Sequence, residues 1–90
     1  MYGLAAQMRR AAVSAGSNIV EGCSRASKAE LIRYLEISYG SLRELGFQSD
    51  ISHRLGFIED VDYKKLKDAL DLATGTLSNY LKRLRTDLSR

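Results

Sequence analysis

Five cations fall between Arg9 and Arg33: Arg9 and Arg10, then Arg25 and Lys28, then Arg33. Guanidinium and ammonium groups of this kind hold phosphate oxygens through contacts that ignore base sequence and weaken with salt. The same residues also serve as ordinary solvated surface, with Glu21, Glu30 and Glu36 as partners for some of them. Between the first and second basic groups runs a polar line, Ser14, Asn18 and Glu21, stepping by four and three. On a helix these share one face, and the expected use is a structural hydrogen-bonded network between helices or subunits. A further basic group, Lys82, Arg83, Arg85 and Arg90, lies near the end of the chain. Cations there complement the negative terminus of a helix and need no other role.

The remaining reactive side chains do not converge. His53 is the only histidine, with no Cys or His at metal-ligand spacing. Cys23 is the only cysteine, which excludes an internal disulfide and a cysteine-rich metal site; it reads as a small residue near a loop. Glu59, Asp60 and Asp62 suit the positive start of a helix. Tyr34, Tyr39, Tyr63 and Tyr80 are at helical spacing, where packing is the expected use and stacking on bases the alternative. No glycine-rich phosphate loop is present, because Gly40 and Gly46 fall inside a helical pattern. No nucleophile, base and orienting group come together, so neither an enzyme nor a bound cofactor or metal is expected.

The elements that carry these residues are helices. Ninety residues make one domain at most, and 44% hydrophobic residues are ample for a core. The chain has no proline, so long uninterrupted helices are permitted. A net charge of +3 and a pI near 9.2 give a mild basic bias that fits a nucleic-acid partner without requiring one. No signal peptide and no membrane-spanning run is read, and the reducing cytoplasm is the expected setting.

The first helix is expected over about 2–21. Leu4, Met8, Ala11, Ala12, Ala15 and Ile19 make its apolar face, and Gly22 is its stop. Ser27 with Glu30 forms a capping box that opens a second helix over about 28–55, closed by Gly56 in a left-handed conformation. This helix carries two apolar stripes. One is Leu31, Leu35, Leu42 and Leu45; the other is Ile37, Phe47, Ile51 and Leu55. A helix buried on one face needs only the first, so the second has to meet something else. A third helix is expected over about 61–88, with Asp60 as the preferred cap over Glu59. Its stripe is Tyr63, Leu66, Leu70, Ala73, Leu77, Tyr80, Leu84 and Asp87, widened by Leu81 and Leu88. That 3.5-residue repeat is the seam of an antiparallel bundle. The second and third helices should form a hairpin with the first packed across it. The fold class expected is all-α, an antiparallel bundle of three long helices in a single domain, 1–90. Its open side is filled by a fourth helix or by another subunit.

The run Gln7-Met8-Arg9-Arg10-Ala11-Ala12-Val13-Ser14, followed by Asn18-Ile19-Val20-Glu21-Gly22, resembles a known family. These are the four-helix-bundle proteins first recognised as reading frames in intervening sequences of bacterial large-subunit ribosomal RNA genes. Gly40-Ser41-Leu42-Arg43-Glu44-Leu45, Leu55-Gly56-Phe57-Ile58 and the stretch from Leu77 to Leu84 resemble it too, so the likeness covers nearly the whole chain. Two departures stand out. The family has one more amphipathic helix before Tyr2, so this chain is either a short form or begins upstream of Met1. The family also commonly has a proline where this chain has Ala15-Gly16-Ser17.

The resemblance implies an α bundle assembled as a ring, typically a homopentamer. It also implies kinship to the accessory proteins of diversity-generating retroelements, basic helical barrels that bind nucleic acid and a reverse transcriptase. The function expected is therefore a non-enzymatic, homo-oligomeric bundle that binds RNA or DNA through a repeated basic face of Arg9, Arg10, Arg25, Lys28 and Arg33. The alternative is a structural or adaptor ring whose partner is another protein.

Overall fold

The computed structural model describes residues 2–89, and among them there are three helices and no strand. These are α1 (Tyr2–Cys23), α2 (Lys28–Arg54) and α3 (Asp60–Ser89). Each boundary has a local cause. The Ser27 hydroxyl accepts a hydrogen bond from the Glu30 amide at 3.1 Å, which satisfies one of the free donors of α2. At the other end the Phe57 amide reaches the Ser52 carbonyl at 2.8 Å and the Gly56 amide reaches His53 at 3.0 Å. Gly56 has φ +79, so the helix closes in a Schellman turn that a side chain would strain.

Two expected boundaries move. Gly22 does not stop α1, which runs on to Cys23. A Cβ on Gly22 would lie 2.9 Å from the Cβ of Tyr34, so the glycine is there for close helix packing. The cap of α3 is Glu59, whose carbonyl accepts from the Tyr63 amide at 2.8 Å; the Asp60 carboxylate is turned to His53 instead.

Helix α2 is the centre. Both α1 and α3 pack on it, and among the described residues no Cα of α1 comes within 8 Å of one in α3. The first helix therefore does not pack across both other helices but lies along one side of α2. Ser52 of α2 touches Met8, Leu45 clusters with Ala11, Ser38 bonds Ala15, and Leu31 and Tyr34 border Gly22. Toward α3, Glu36 meets Arg85 and Asp50 meets Tyr63 and Lys67. The two contact sides of α2 are roughly a third of a turn or more apart at about 3.6 residues per turn.

Two apolar clusters hold the layers together. Ile32, Leu35, Leu77, Leu81 and Leu84 form one, and Ala11, Leu45 and Leu70 form the other, with Leu42 packed against both. Each fully buried leucine contributes about 1.5–3 kcal/mol before entropy is counted. The α3 seam is narrower than its repeat suggests. Leu70, Leu77, Leu81 and Leu84 are buried, whereas Ala73, Tyr80 and Asp87 are exposed, because α3 packs mainly on α2 and meets α1 only where Leu70 joins the Ala11 cluster. Ala12 and Ile19 of α1 are exposed for the same reason. On α2, Ile37 and Phe47 lie uncovered at 43% and 65% exposure and Ile51 is half-buried; Leu55, just past its end, is 59% exposed.

Candidate functional site

The turn between α1 and α2 brings three of the five cations to one end of the molecule. Arg25 pairs with Glu21, reaches the Tyr34 hydroxyl at 3.2 Å, and sets its guanidinium 5.1 Å above the Tyr34 ring. Glu30 approaches it from the other side at 3.9 Å. Glu21 foremost, then Tyr34, holds the Arg25 pKa above its ordinary value. Lys28 faces Asp87 of α3 at 3.8 Å. Arg33 is exposed one turn along α2 and, among the described residues, enters no ion pair. Arg9 and Arg10 are also exposed and likewise unpaired, but they do not join this end. They lie back along α1 by roughly 20 Å at about 1.5 Å per residue.

The end of α3 completes the basic end. Arg85 bonds Glu36 at 2.7 Å, and Lys82 and Arg83 are exposed; Arg90 lies outside the described residues. Residues 21–36 and 82–87 carry six cations against four carboxylates, whereas residues 3–20 and 37–81 carry seven of each. That end is therefore net positive as a whole, through Lys82, Arg83 and Arg85, while residues 21–36 are balanced at three cations and three carboxylates and residues 3–20 add Arg9 and Arg10 with no carboxylate.

Of the polar line, Ser14 and Asn18 enter one network. The Ser14 and Ser41 hydroxyls share a hydrogen bond at 3.0 Å that ties α1 to α2, and the Asn18 amide donates to the Ser14 carbonyl at 2.8 Å. Glu21 turns away to Arg25. Cys23 ends α1 and is exposed. Of the tyrosines, Tyr34 and Tyr39 sit under arginines, Tyr63 stacks on His53, and Tyr80 is exposed.

Sequence reasoning missed two features. Ser38, Ser49 and Ser52 are fully buried on α2. The Ser38 hydroxyl donates to the Ala15 carbonyl at 2.8 Å and that of Ser52 meets the Met8 sulfur at 3.5 Å, so small residues let α1 come close. Their polar type concealed them; the only signal was their step of three and four beside Leu45. The second feature is a clamp joining the end of α2 to the start of α3. His53 stacks on Tyr63 with ring centroids 4.0 Å apart, and its Nε2 lies 2.7 Å from Asp60. The Tyr63 hydroxyl donates to Asp50 at 2.5 Å, and Lys67 stands 3.6 Å from the same carboxylate. The Tyr63 hydrogen bond, aided by Lys67 and opposed by burial, holds the Asp50 carboxyl below the usual range; the same bond pushes the Tyr63 phenol up.

Among the described residues no group of His, Cys, Asp and Glu is placed to hold a metal ion. No described helix is long and apolar enough to cross a membrane.

These features define a class: a small all-helical protein whose positive charge gathers at one end and whose central helix keeps an uncovered apolar stripe. The chain belongs to the 23S rRNA-intervening sequence protein family, whose model it matches over residues 1–79. No curated protein matches it.

Proposed function

We propose that this chain is a non-enzymatic, single-domain antiparallel bundle that associates with copies of itself and binds RNA or DNA at its basic end. Arg25, Lys28 and Arg33 are the primary phosphate contacts. Arg9 and Arg10 join them only where a neighbouring copy brings the two groups onto one face. The observation that supports this reading is that residues 21–36 and 82–87 together carry six cations against four carboxylates, with the surplus supplied by Lys82, Arg83 and Arg85 beside the balanced α1–α2 turn. Membership of the 23S rRNA-intervening sequence protein family is compatible with RNA association. Repetition of a weak site around an assembly raises its avidity without new contacts. Uncovered Phe47, Val13 and Val20, at 65%, 67% and 71% exposure, support self-association. They also favour a second reading, a structural or adaptor assembly whose partner is another protein.

The test is fluorescence-anisotropy binding to a structured RNA and a matched DNA over a salt titration. Binding should weaken steeply with salt. Lys28→Gln with Arg33→Gln should make the logarithmic salt slope shallower by about 0.7–0.9 for each phosphate that is no longer neutralised. A folded protein that binds neither nucleic acid at low salt discards this reading and favours the protein-partner one.

A further inference from the structure

A groove of about 450 Å³ runs between α2 and α3, and all the residues that line it belong to those two helices. Its size is that of a small-ligand site. Its base is apolar, with Leu70 buried and Leu42 half-buried. Its rim is mixed. Arg43 and Phe47 stand on the α2 bank, and Asp71 stands on the α3 bank. None of these three is spent within the chain. The Phe47 ring is largely exposed. The Arg43 guanidinium lies 6.0 Å from the Tyr39 ring centroid and donates to that hydroxyl at 3.4 Å, but among the described residues it pairs with no carboxylate. The Asp71 carboxylate likewise enters no ion pair. The groove's other two charges satisfy each other, because Lys67 stands 3.6 Å from Asp50.

The chemistry of the rim selects a ligand. An apolar base beside an exposed ring takes a flat, weakly hydrated body. An unpaired guanidinium on one bank takes an anion and suits the oxygens of a phosphate. An unpaired carboxylate on the other bank accepts from N–H donors and turns phosphate away. A nucleotide carries these three parts in that order: a phosphate, a flat base, and a base edge with N–H donors. All the common bases have such a donor on the edge used for pairing. In a duplex that donor is bonded to the opposite base and both faces are stacked. Only an unpaired nucleotide offers the face and the edge together, which is how proteins hold single strands.

We propose that the α2–α3 groove holds an unpaired nucleotide of a single-stranded nucleic acid, with the base stacked on Phe47, the phosphate on Arg43 and the pairing edge turned to Asp71. This site rests on the nucleic-acid reading and specifies its ligand as single-stranded. The groove leads out of the basic end. Glu36, which holds Arg85, precedes Tyr39 by three residues on the same face of α2, and Tyr39 lines the groove. A strand whose phosphates rest on the basic end therefore continues into the groove. Phe47 is assigned to the ligand, and self-association is left to Val13 and Val20.

The experiment is fluorescence anisotropy of the full chain with an unstructured RNA strand, its DNA counterpart, and each annealed to its complement, with far-UV circular dichroism as the check on folding. Phe47→Ala should weaken single-strand binding by about 5- to 150-fold, the loss of one stacked base, without changing the salt slope. Duplex binding should be unchanged. Gly46→Leu should do the same by filling the groove from a position where a Cβ meets nothing within 4 Å, so the helices stay intact. Arg43→Gln should make the single-strand salt slope shallower by about 0.7. A wild type that binds no nucleic acid at low salt overturns the nucleic-acid reading and this site together. A wild type that binds only duplex overturns the site alone. So does one whose slope depends on Lys28 and Arg33 while Phe47→Ala and Gly46→Leu are indifferent or weaken duplex and single strand alike. A Phe47→Ala that lowers the light-scattering mass and leaves single-strand affinity unchanged gives the groove to a protein surface, and also overturns the site.

Discussion

Replacing Gly22 with alanine sets two effects of opposite sign against each other. In any helix interior the change removes the glycine penalty, about 1 kcal/mol in favour of alanine. At Gly22 the new Cβ would also lie 2.9 Å from the Tyr34 Cβ and 3.3 Å from a methyl of Leu31. The leucine methyl can turn aside. The tyrosine Cβ is fixed to the α2 backbone, so the helices must part by some tenths of an ångström. Overpacking of that kind costs about 1–3 kcal/mol. Gly75 is the matched control: it lies inside α3, and a Cβ there meets nothing within 4 Å. Gly75→Ala should stabilise by about 1 kcal/mol. Gly22→Ala should be neutral at best and lose up to about 2 kcal/mol, the balance of the same two effects. The gap between the variants is the overpacking cost itself. Urea unfolding followed by circular dichroism would read it, at one fixed chain concentration because association raises apparent stability. With a slope of about 1–2 kcal/mol per molar, the midpoints should separate by about 0.5–3 M. Equal midpoints would refute the close approach of α1 to α2 at this point.

Two further outcomes are expected. Leu81→Ala removes a side chain that is 3% exposed and should cost about 2–5 kcal/mol, whereas Leu72→Ala, at 73% exposure, should stay within about 0.5 kcal/mol; similar losses at both would reject the packing of α3. Tyr63→Phe deletes the hydroxyl that lowers the Asp50 pKa and whose own pKa the carboxylate raises. A lowered carboxyl stabilises above its unfolded value near about 3.9 and loses that contribution as pH falls; a raised phenol stabilises below about 10 and loses it as pH rises. The advantage of wild type over this variant should be full near neutrality and fade at both extremes, and a pH-independent advantage from about pH 2.5 to 7 would refute the bond.

The three helices were legible because their signals are local. Ser27 and Gly56 act on amides and carbonyls within five residues of themselves, so their spacing alone marks the ends of α2. Gly22 was misread as a stop because what it avoids, the Cβ of Tyr34, is twelve residues away in sequence and adjacent only after folding. The buried serines were illegible for a related reason. A serine reads as polar until a carbonyl on a neighbouring helix is known to wait for its hydroxyl, as Ala15 does for Ser38. The α3 stripe was drawn too broad because periodicity reports which side of a helix is apolar, not how many neighbours will cover it. Tyr80 and Ala73 belong to the stripe by spacing but to the surface by packing.

The division of the five cations follows from the same logic and bears on function. In sequence Arg9, Arg10, Arg25, Lys28 and Arg33 form one loose cluster. A helix of twenty-two residues converts that sequence distance into length, roughly 33 Å from end to end at about 1.5 Å per residue, so α1 carries the first pair away from the others. The two groups then meet different surroundings. Arg25 and Lys28 sit among carboxylates that fix their direction without cancelling the charge of that end, which suits a polyanion held by many weak contacts. Arg9 and Arg10 sit beside exposed Val13 and a shallow apolar groove, which suits a surface buried by a protein. A charge flanked by apolar surface adds direction and specificity to an interface that excludes water, where the lower dielectric strengthens its pairing. The two basic groups are therefore separable by experiment: substitutions at Lys28 and Arg33 should change the salt dependence of nucleic-acid binding at any chain concentration, and substitutions at Arg9 and Arg10 only where copies associate.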